Sequence, residues 1–229
     1  CSRPGTRCGG WCEDRCEGWG GYRGGGVTGP PAYRVVPCGP AALLVEVSDA
    51  PAALSLAEHL RAGLGATDVV PGARTVLVDG AGRAAVEEAL RRWDPATGTD
   101  PGPLVEVPVV YDGADLADVA EVWGCTLREV VERHTSLELV SAFCGFAPGF
   151  AYLSGVPEEW AVPRRASPRP RVPAGSVALA DTWSAVYPTA SPGGWRLLGR
   201  TDLSLWDTRR TPPALLAPGT RVVFREVRA

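Results

Sequence analysis

From Tyr33 onward the chain alternates between two apolar rhythms. Residues 42–47, Ala-Leu-Leu-Val-Glu-Val, predict a strand. Asp49 then offers a cap, with Pro51 in the first turn, for a helix that runs to about Leu64 and stops at Gly63 or Gly65. Residues 68–70 and 75–78 read as short strands around a Pro71-Gly72 turn. Val86, Leu90 and Trp93 share one face of a helix over residues 82–93, and residues 104–110 alternate into another strand. The order β-α-β-β-α-β is that of a ferredoxin-like split unit, assigned to residues 33–112.

Residues 113–229 carry a different signature. Two short helices come first. One covers residues 115–123, with Leu116, Val119 and Trp123 at helical spacing and Gly124 as its stop. The next opens on Thr126-Leu-Arg-Glu129, a capping box. After an alternating strand over 137–144 the chain becomes short β-runs at 176–179, 185–187, 195–198 and 222–227, which predict a barrel or sandwich. Four glycine- and proline-dense runs separate them: 143–150, 172–177, 186–188 and 191–201. Glycine serves where the backbone needs positive φ or close approach, and proline fixes φ. Phe146, Phe150, Tyr152, Tyr187 and Trp195 lie in or beside these loops, which together read as a built surface or pocket. The fold class is α+β.

Composition narrows the chemistry. With 229 residues and 45% hydrophobic content a packed core is available. No apolar run reaches the roughly 18 residues of a membrane span. All 23 basic side chains are arginine. Lacking lysine, the chain has neither a P-loop lysine nor a Schiff-base lysine. Residues 33–140 hold 8 Arg against 17 acids, and residues 141–229 hold 11 Arg against 6. That asymmetry fits an anionic ligand on the second half, or a set of solubilising surface charges. No dense basic stripe points to nucleic acid. Arg164, Arg165, Arg169, Arg171, Arg196 and Arg200, with Ser176, Ser191 and Thr201, are the polar loop residues. Arginine forks suit carboxylate and phosphate, and equally suit salt bridges between loops.

Of the two histidines, His59 reads as surface. His134 reads as structural at a helix end, with a catalytic base as the other possibility. Cys38, Cys125 and Cys144 read as small core residues, and the absence of a paired framework argues for a reducing cytoplasmic compartment. Residues 1–32 read as a disordered tail or as sequence upstream of the true start. Cys8, Cys12 and Cys16 there lack a fourth ligand at zinc-like spacing, so no metal site is assigned. A first residue other than Met suggests a fragment or a processed start. Gly-x-Ser-x-Gly, His-Glu-x-x-His and a strand-linked Gly-x-Gly-x-x-Gly are all absent.

The run Gly145-Phe-Ala-Pro-Gly-Phe-Ala-Tyr-Leu153 resembles the hallmark of the allophanate hydrolase subunit 1 family, also called the KipI family or the family of 5-oxoprolinase B subunits. The likeness continues through Pro163-Arg-Arg165, Pro168-Arg169, Arg171-Val-Pro-Ala-Gly-Ser-Val177, Val186-Tyr-Pro188, Ser191-Pro-Gly-Gly-Trp195, Leu198-Gly-Arg-Thr201, Pro213-Ala-Leu-Leu216 and Pro218-Gly219. It covers the chain from about Tyr33 to Val227. The resemblance implies a small α+β domain followed by a cyclophilin-like β-barrel of the carboxyltransferase subdomain C/D type. It also implies a hydrolase component, inactive alone, in ATP-dependent cleavage of 5-oxoproline to L-glutamate. Its implied partners are a related, larger C-type component (of the allophanate hydrolase subunit 2 kind) and an A-type component. ATP and Mg would bind the assembled complex. Alternatives within the family are a non-catalytic inhibitor of a sensor histidine kinase, or a component acting on another amide or urea-type substrate. The implied pocket or interface residues are Gly145, Phe146, Pro148, Gly149, Phe150, Tyr152, Arg164, Pro173, Gly175, Ser176, Tyr187, Ser191, Gly193, Gly194, Trp195 and Thr201, with Arg169, Arg200 and His134 as catalytic candidates. Trp183 and Ala185 stand where the family usually has glutamine and glycine, and Gly39-Pro-Ala-Ala42 replaces an early Gly-Asp-Arg-Ala.

Overall fold

The computed structural model describes residues 33–95 and 102–228. The cysteine-rich leader and the Cys8, Cys12, Cys16 spacing lie outside the described residues.

The chain first builds a four-stranded sheet with two helices. Its elements are β1 (Arg34–Cys38), β2 (Ala42–Glu46), α1 (Ala50–Gly63), β3 (Asp68–Pro71), β4 (Thr75–Asp79) and α2 (Arg83–Arg92). The strands run antiparallel in the order β1-β2-β4-β3. Alternation puts Leu43, Val45, Val76 and Val78 on one face, against Leu56 and Leu60 of α1 and Val86 and Leu90 of α2. Full burial of each leucine stabilises by about 1.5–3 kcal/mol. The Asp49 cap forms as the sequence predicts, its Oδ1 accepting the Ala52 N–H at 2.8 Å. His59 departs from its surface reading. It is half-buried between the helices, with Nε2 3.0 Å from the Ala89 carbonyl oxygen. Cys38 is exposed on β1, not in the core.

The second part begins with β5 (Leu104–Val109), then α3 (Leu116–Trp123), α4 (Leu127–Ser136) and β6 (Glu138–Cys144). It continues with β7 (Ala151–Ser154), β8 (Arg169–Val172), β9 (Ser176–Ala180) and β10 (Trp183–Val186). Last come β11 (Ser191–Gly193), β12 (Arg196–Arg200) and β13 (Arg221–Glu226). Seven of these strands form one sheet in the order β12-β9-β10-β7-β6-β13-β5. Its two edges meet. Val110, just past β5, exchanges both backbone hydrogen bonds with Arg200 of β12 at 2.9 Å each. The sheet is therefore a barrel with no open edge along that seam.

The α+β class holds, with one exchange of strands. The strand at 104–109, counted by pattern as the last of the small unit, pairs in parallel with β13 in the barrel. The unforeseen β1 takes a place in the small sheet. Alternation tells that a strand is half-buried but not which sheet will cover it.

Alternation also explains where the barrel is thick. On β9, Val177 and Leu179 point into the barrel with Leu153, Val186, Leu198 and Phe224. Ala178 and Ala180 point outward, where they join Ala185, Phe150, Tyr187, Trp195 and Leu197 in a second apolar cluster. Those outward alanines leave room for rings to lie on the barrel wall. The small β8–β11 ribbon contributes Val172 to the same layer.

Candidate functional site

The outer aromatic layer opens into a cleft of about 390 Å³, lined by Phe146, Phe150, Tyr152, Arg164, Ala180, Asp181, Trp183, Tyr187, Pro192, Gly193 and Trp195. The five aromatic residues singled out from the loops thus meet in one place. Phe150 is their hub. Its ring makes edge-to-face contacts with Phe146, Tyr152, Tyr187 and Trp195, at centroid distances of 5.1 to 5.6 Å. Such pairs add about 0.5–1.5 kcal/mol each beyond burial, so the wall is stiff.

The loop carrying Phe146 is tied to itself. The Gly145 N–H donates to the Phe150 carbonyl at 3.1 Å, and the Phe150 N–H to the Ala147 carbonyl at 3.0 Å. Phe146 sits at φ 69 and is 63% exposed. A bulky residue at positive φ is strained, and such strain collects at functional sites. Among the described residues only one other non-glycine has positive φ, Asp181 at φ 55, and it lines the same cleft. Gly193 is required for a steric reason. A Cβ there would lie 2.4 Å from the Tyr187 hydroxyl oxygen, which lies at the cleft. Burial raises the Tyr187 hydroxyl pKa, against the lowering effect of its hydrogen bond to the Trp195 backbone and of Arg164 and Arg169 nearby.

The other glycine and proline positions shape the scaffold behind the cleft. Gly149 backs onto Leu205 and Trp206, and Pro148 is exposed beside it. Gly175 donates to the Tyr187 carbonyl at 2.8 Å, and the buried Ser176 accepts from the Tyr187 N–H at 2.9 Å. Buried Thr201 donates to the Gly175 carbonyl, Pro173 accepts from the Ser176 N–H, and Gly194 accepts from the Arg165 N–H. Ser191 pairs with Val172 in the ribbon, where its Oγ is buried without a partner.

The arginines separate into two classes. Arg169 and Arg165 converge on Asp115, which is 1% exposed, with both contacts on Oδ1 at 2.7 and 2.9 Å. Oδ2 of Asp115 accepts the Leu197 N–H at 2.7 Å. Burial alone would raise this carboxyl. The Arg169 and Leu197 hydrogen bonds and the two positive charges outweigh it and hold the pKa below the usual carboxylate range. Arg200 pairs with Asp112 on the surface at 2.9 Å while its backbone closes the barrel. Neither Arg169 nor Arg200 lines the cleft. Arg164 does, and its guanidinium makes no hydrogen bond or ion pair to another described residue.

His134 lies inside the barrel, fully buried and stacked on Phe224 at 4.4 Å. Its hydrogen bonds form a directed chain. Ser184 Oγ donates its one proton to the Ala178 carbonyl at 3.3 Å, so the tautomer that satisfies every group has Nε2–H donating to Ser184 Oγ across 3.2 Å and Nδ1 accepting from the Tyr111 hydroxyl across 2.7 Å. This arrangement satisfies a neutral imidazole, and burial pushes its pKa down to about 3. The folded state refuses a proton that the unfolded state accepts near pH 6.5. His134 therefore erodes stability as pH falls from about 6.5 towards 3, by about 1.4 kcal/mol per pH unit. Denaturant titrations of the wild type and His134→Gln between pH 7 and 4 should show the steeper loss in the wild type.

Residues 33–216 match the family model for the carboxyltransferase domain, subdomain C and D. The chain belongs to this family. It is 49% identical over 144 residues to the B subunit of 5-oxoprolinase from Escherichia coli O157:H7, covering 61% of this chain and 66% of that protein. It is 45% identical over 124 residues to the corresponding 5-oxoprolinase component of Bacillus subtilis (strain 168), covering 53% and 52%. The crystal structure of TTHA0988 superimposes with a TM-score of 0.70 at 34% identity, over 82% of this chain and 40% of that one. The chain thus matches from half to two thirds of the length of these two curated relatives. As a carboxyltransferase-type domain, its cleft lies on the outer wall of the barrel, over β9 and β10.

Sequence reasoning missed Asp181 and Ala180 as cleft residues, while Pro192 falls in the 191–201 run read as part of a pocket. Trp183, noted only as a departure from the family pattern, forms part of the wall and meets Phe143 and Tyr152 edge-to-face. The available signal was Asp181-Thr182, a polar pair between two apolar β-runs, which marks a hairpin tip. Among the described residues no group of three or more His, Cys, Asp or Glu sits together to hold a metal, and no helix is long and apolar enough to cross a membrane.

Proposed function

We propose that this chain is one component of an ATP-dependent 5-oxoprolinase, inactive alone, and that its aromatic cleft holds 5-oxoproline with the carboxylate on Arg164. The observation that carries the reading is Arg164 lining a ring-walled cleft, its guanidinium making no hydrogen bond or ion pair to another described residue. A flat five-membered lactam suits faces and edges of Phe150, Tyr152 and Trp195, and a guanidinium fork suits its carboxylate. The relatives named as B subunits of a 5-oxoprolinase support the same reading.

Opening the ring breaks the bond between carbonyl carbon and nitrogen. Water supplies the oxygen on carbon and the proton on nitrogen. Amide resonance makes that carbonyl a poor electrophile, which is why ATP would be spent on phosphorylating its oxygen: ADP would leave in that transfer, and a second water would release the phosphoryl group as inorganic phosphate. The chain has no lysine and no clustered metal ligands among its described residues. ATP and Mg accordingly belong to the complex with the A-type and C-type components, in the cytoplasm, and this chain's part is to bind, orient and desolvate the lactam. The cleft is larger than 5-oxoproline fills, leaving space for a second reactant from a partner.

The test is ATP-dependent release of glutamate from 5-oxoproline by the complex reconstituted with A- and C-type components. Activity is expected only in the full mixture. Arg164→Ala should lower kcat/KM by roughly 10- to 100-fold, mostly through KM. An unchanged KM would remove Arg164 from the site. A stable complex without turnover would point to another amide, and no complex at all to the kinase-inhibitor reading.

A further inference from the structure

We propose that Asp181 is a substrate-binding residue that accepts a hydrogen bond from the ring N–H of the lactam, and so makes the cleft selective for a secondary cyclic amide. This rests on the reading of the cleft given above and assigns it a second polar contact.

Asp181 and Thr182 form the two-residue tip between β9 and β10, where Ala180 pairs with Trp183. Positive φ at the first tip residue and not at the second is the pattern in which glycine is favoured at the first position. Aspartate tolerates that region, but glycine costs less. The backbone is also strapped from outside the hairpin. The Asp181 N–H donates to the Val162 carbonyl at 2.6 Å, and the Val162 N–H returns to the Asp181 carbonyl at 3.1 Å. The carboxylate is thus presented from a fixed and strained backbone. Asp181 lines the cleft and is exposed there, and its carboxylate makes no hydrogen bond or ion pair to another described residue.

Many, though not all, of the acids among the described residues are tied to an arginine. Asp112, Asp115, Asp118, Glu106, Glu138 and Asp207 each pair with an arginine. Asp181 shares its cleft with a cation, Arg164, yet the two do not pair. A cleft whose lining includes an acceptor and a cation that make no ion pair among the described residues, together with aromatic rings, fits a small ligand carrying both an N–H donor and an anion. In 5-oxoproline the N–H and the carboxylate sit on neighbouring ring atoms, so one bound pose can serve both residues. Ring opening turns the same nitrogen into the amine of glutamate, which is charged at neutral pH, so Asp181 keeps hold of that nitrogen in the product.

The test compares 5-oxoproline with N-methyl-5-oxoproline, which keeps the ring and carboxylate but has no N–H. Binding to the reconstituted complex is measured by titration calorimetry for the wild type, Asp181→Gly, Asp181→Asn and Arg164→Ala. Glycine keeps the positive φ, and a thermal melt matching the wild type establishes that the variant is folded. Asparagine retains an acceptor oxygen without the charge. The wild type should prefer 5-oxoproline over the N-methyl lactam by about 10- to 100-fold. Asp181→Gly should erase that preference by weakening 5-oxoproline alone, and Asp181→Asn should fall between. If Arg164→Ala weakens both lactams while Asp181→Gly weakens neither, the cleft holds the lactam and the role of Asp181 is overturned. If neither lactam binds the wild type, the reading of the cleft falls, and the proposal with it.

Discussion

Asp115→Ala is expected to destabilise the protein by about 3–5 kcal/mol, seen as a lower denaturant midpoint with little change in slope. The carboxylate joins three separate pieces of chain: the start of α3, the Arg165 and Arg169 segment, and the backbone of β12. Removing it leaves the Leu197 N–H without its partner. It also leaves two part-buried guanidinium groups facing each other, each already with one buried nitrogen unpartnered. Like charges then repel where an anion had held them. Replacing Arg165 by methionine in the Asp115→Ala background should recover part of the loss. A double-mutant cycle that showed simple additivity would remove the network explanation.

Gly175→Ala should cost about 3 kcal/mol, a fall in Tm on the order of 10 °C for a chain of this size. The position is at φ 78, and an added Cβ would lie 2.1 Å from the Thr201 carbonyl oxygen. That oxygen is backbone and cannot swing away as a flexible side chain would. Because Gly175 also donates to the Tyr187 carbonyl, the damage should reach the cleft. Differential scanning calorimetry of the variant checks the stability, and 5-oxoproline affinity of the folded fraction checks the link. A melt within about 2 °C of the wild type, well short of the shift expected for a loss of this size, would mean that the loop has more room than its geometry shows.

The sequence disclosed the parts of the fold that are local. Asp49 and Thr126 form the caps their neighbours announce, and α3 ends at Gly124. It disclosed the aromatic cleft because rings and glycines in clustered loops are an unusual combination. Partner choice was not legible. The strand at 104–109 reads the same whether it completes a small sheet or a barrel, and its place is decided by β13, far along the chain. The short strands β7, β8 and β11 span three or four residues, too few for a period, and the last two carry proline. Among the arginines, the sequence put Arg169 and Arg200 forward as catalytic candidates and Arg164 only among the pocket residues. Only coordinates separate Arg164, which makes no ion pair among the described residues, from the two engaged by Asp115 and Asp112. Asp181 escaped notice because aspartate at a turn needs no special reason until its φ is known.

The pairing of β5 with β13 carries a consequence for synthesis. Glu106 and Arg225, which bridge these strands, are 119 positions apart. A ribosome making about 5–20 residues per second emits β5 several seconds before its partner exists. Through that interval β5 has no sheet to join, and β6 lacks the neighbour that later lies between them. Both edges can recruit strands from other nascent chains. The barrel is therefore a structure completed late, and yield in a host should depend on how well those waiting edges are shielded.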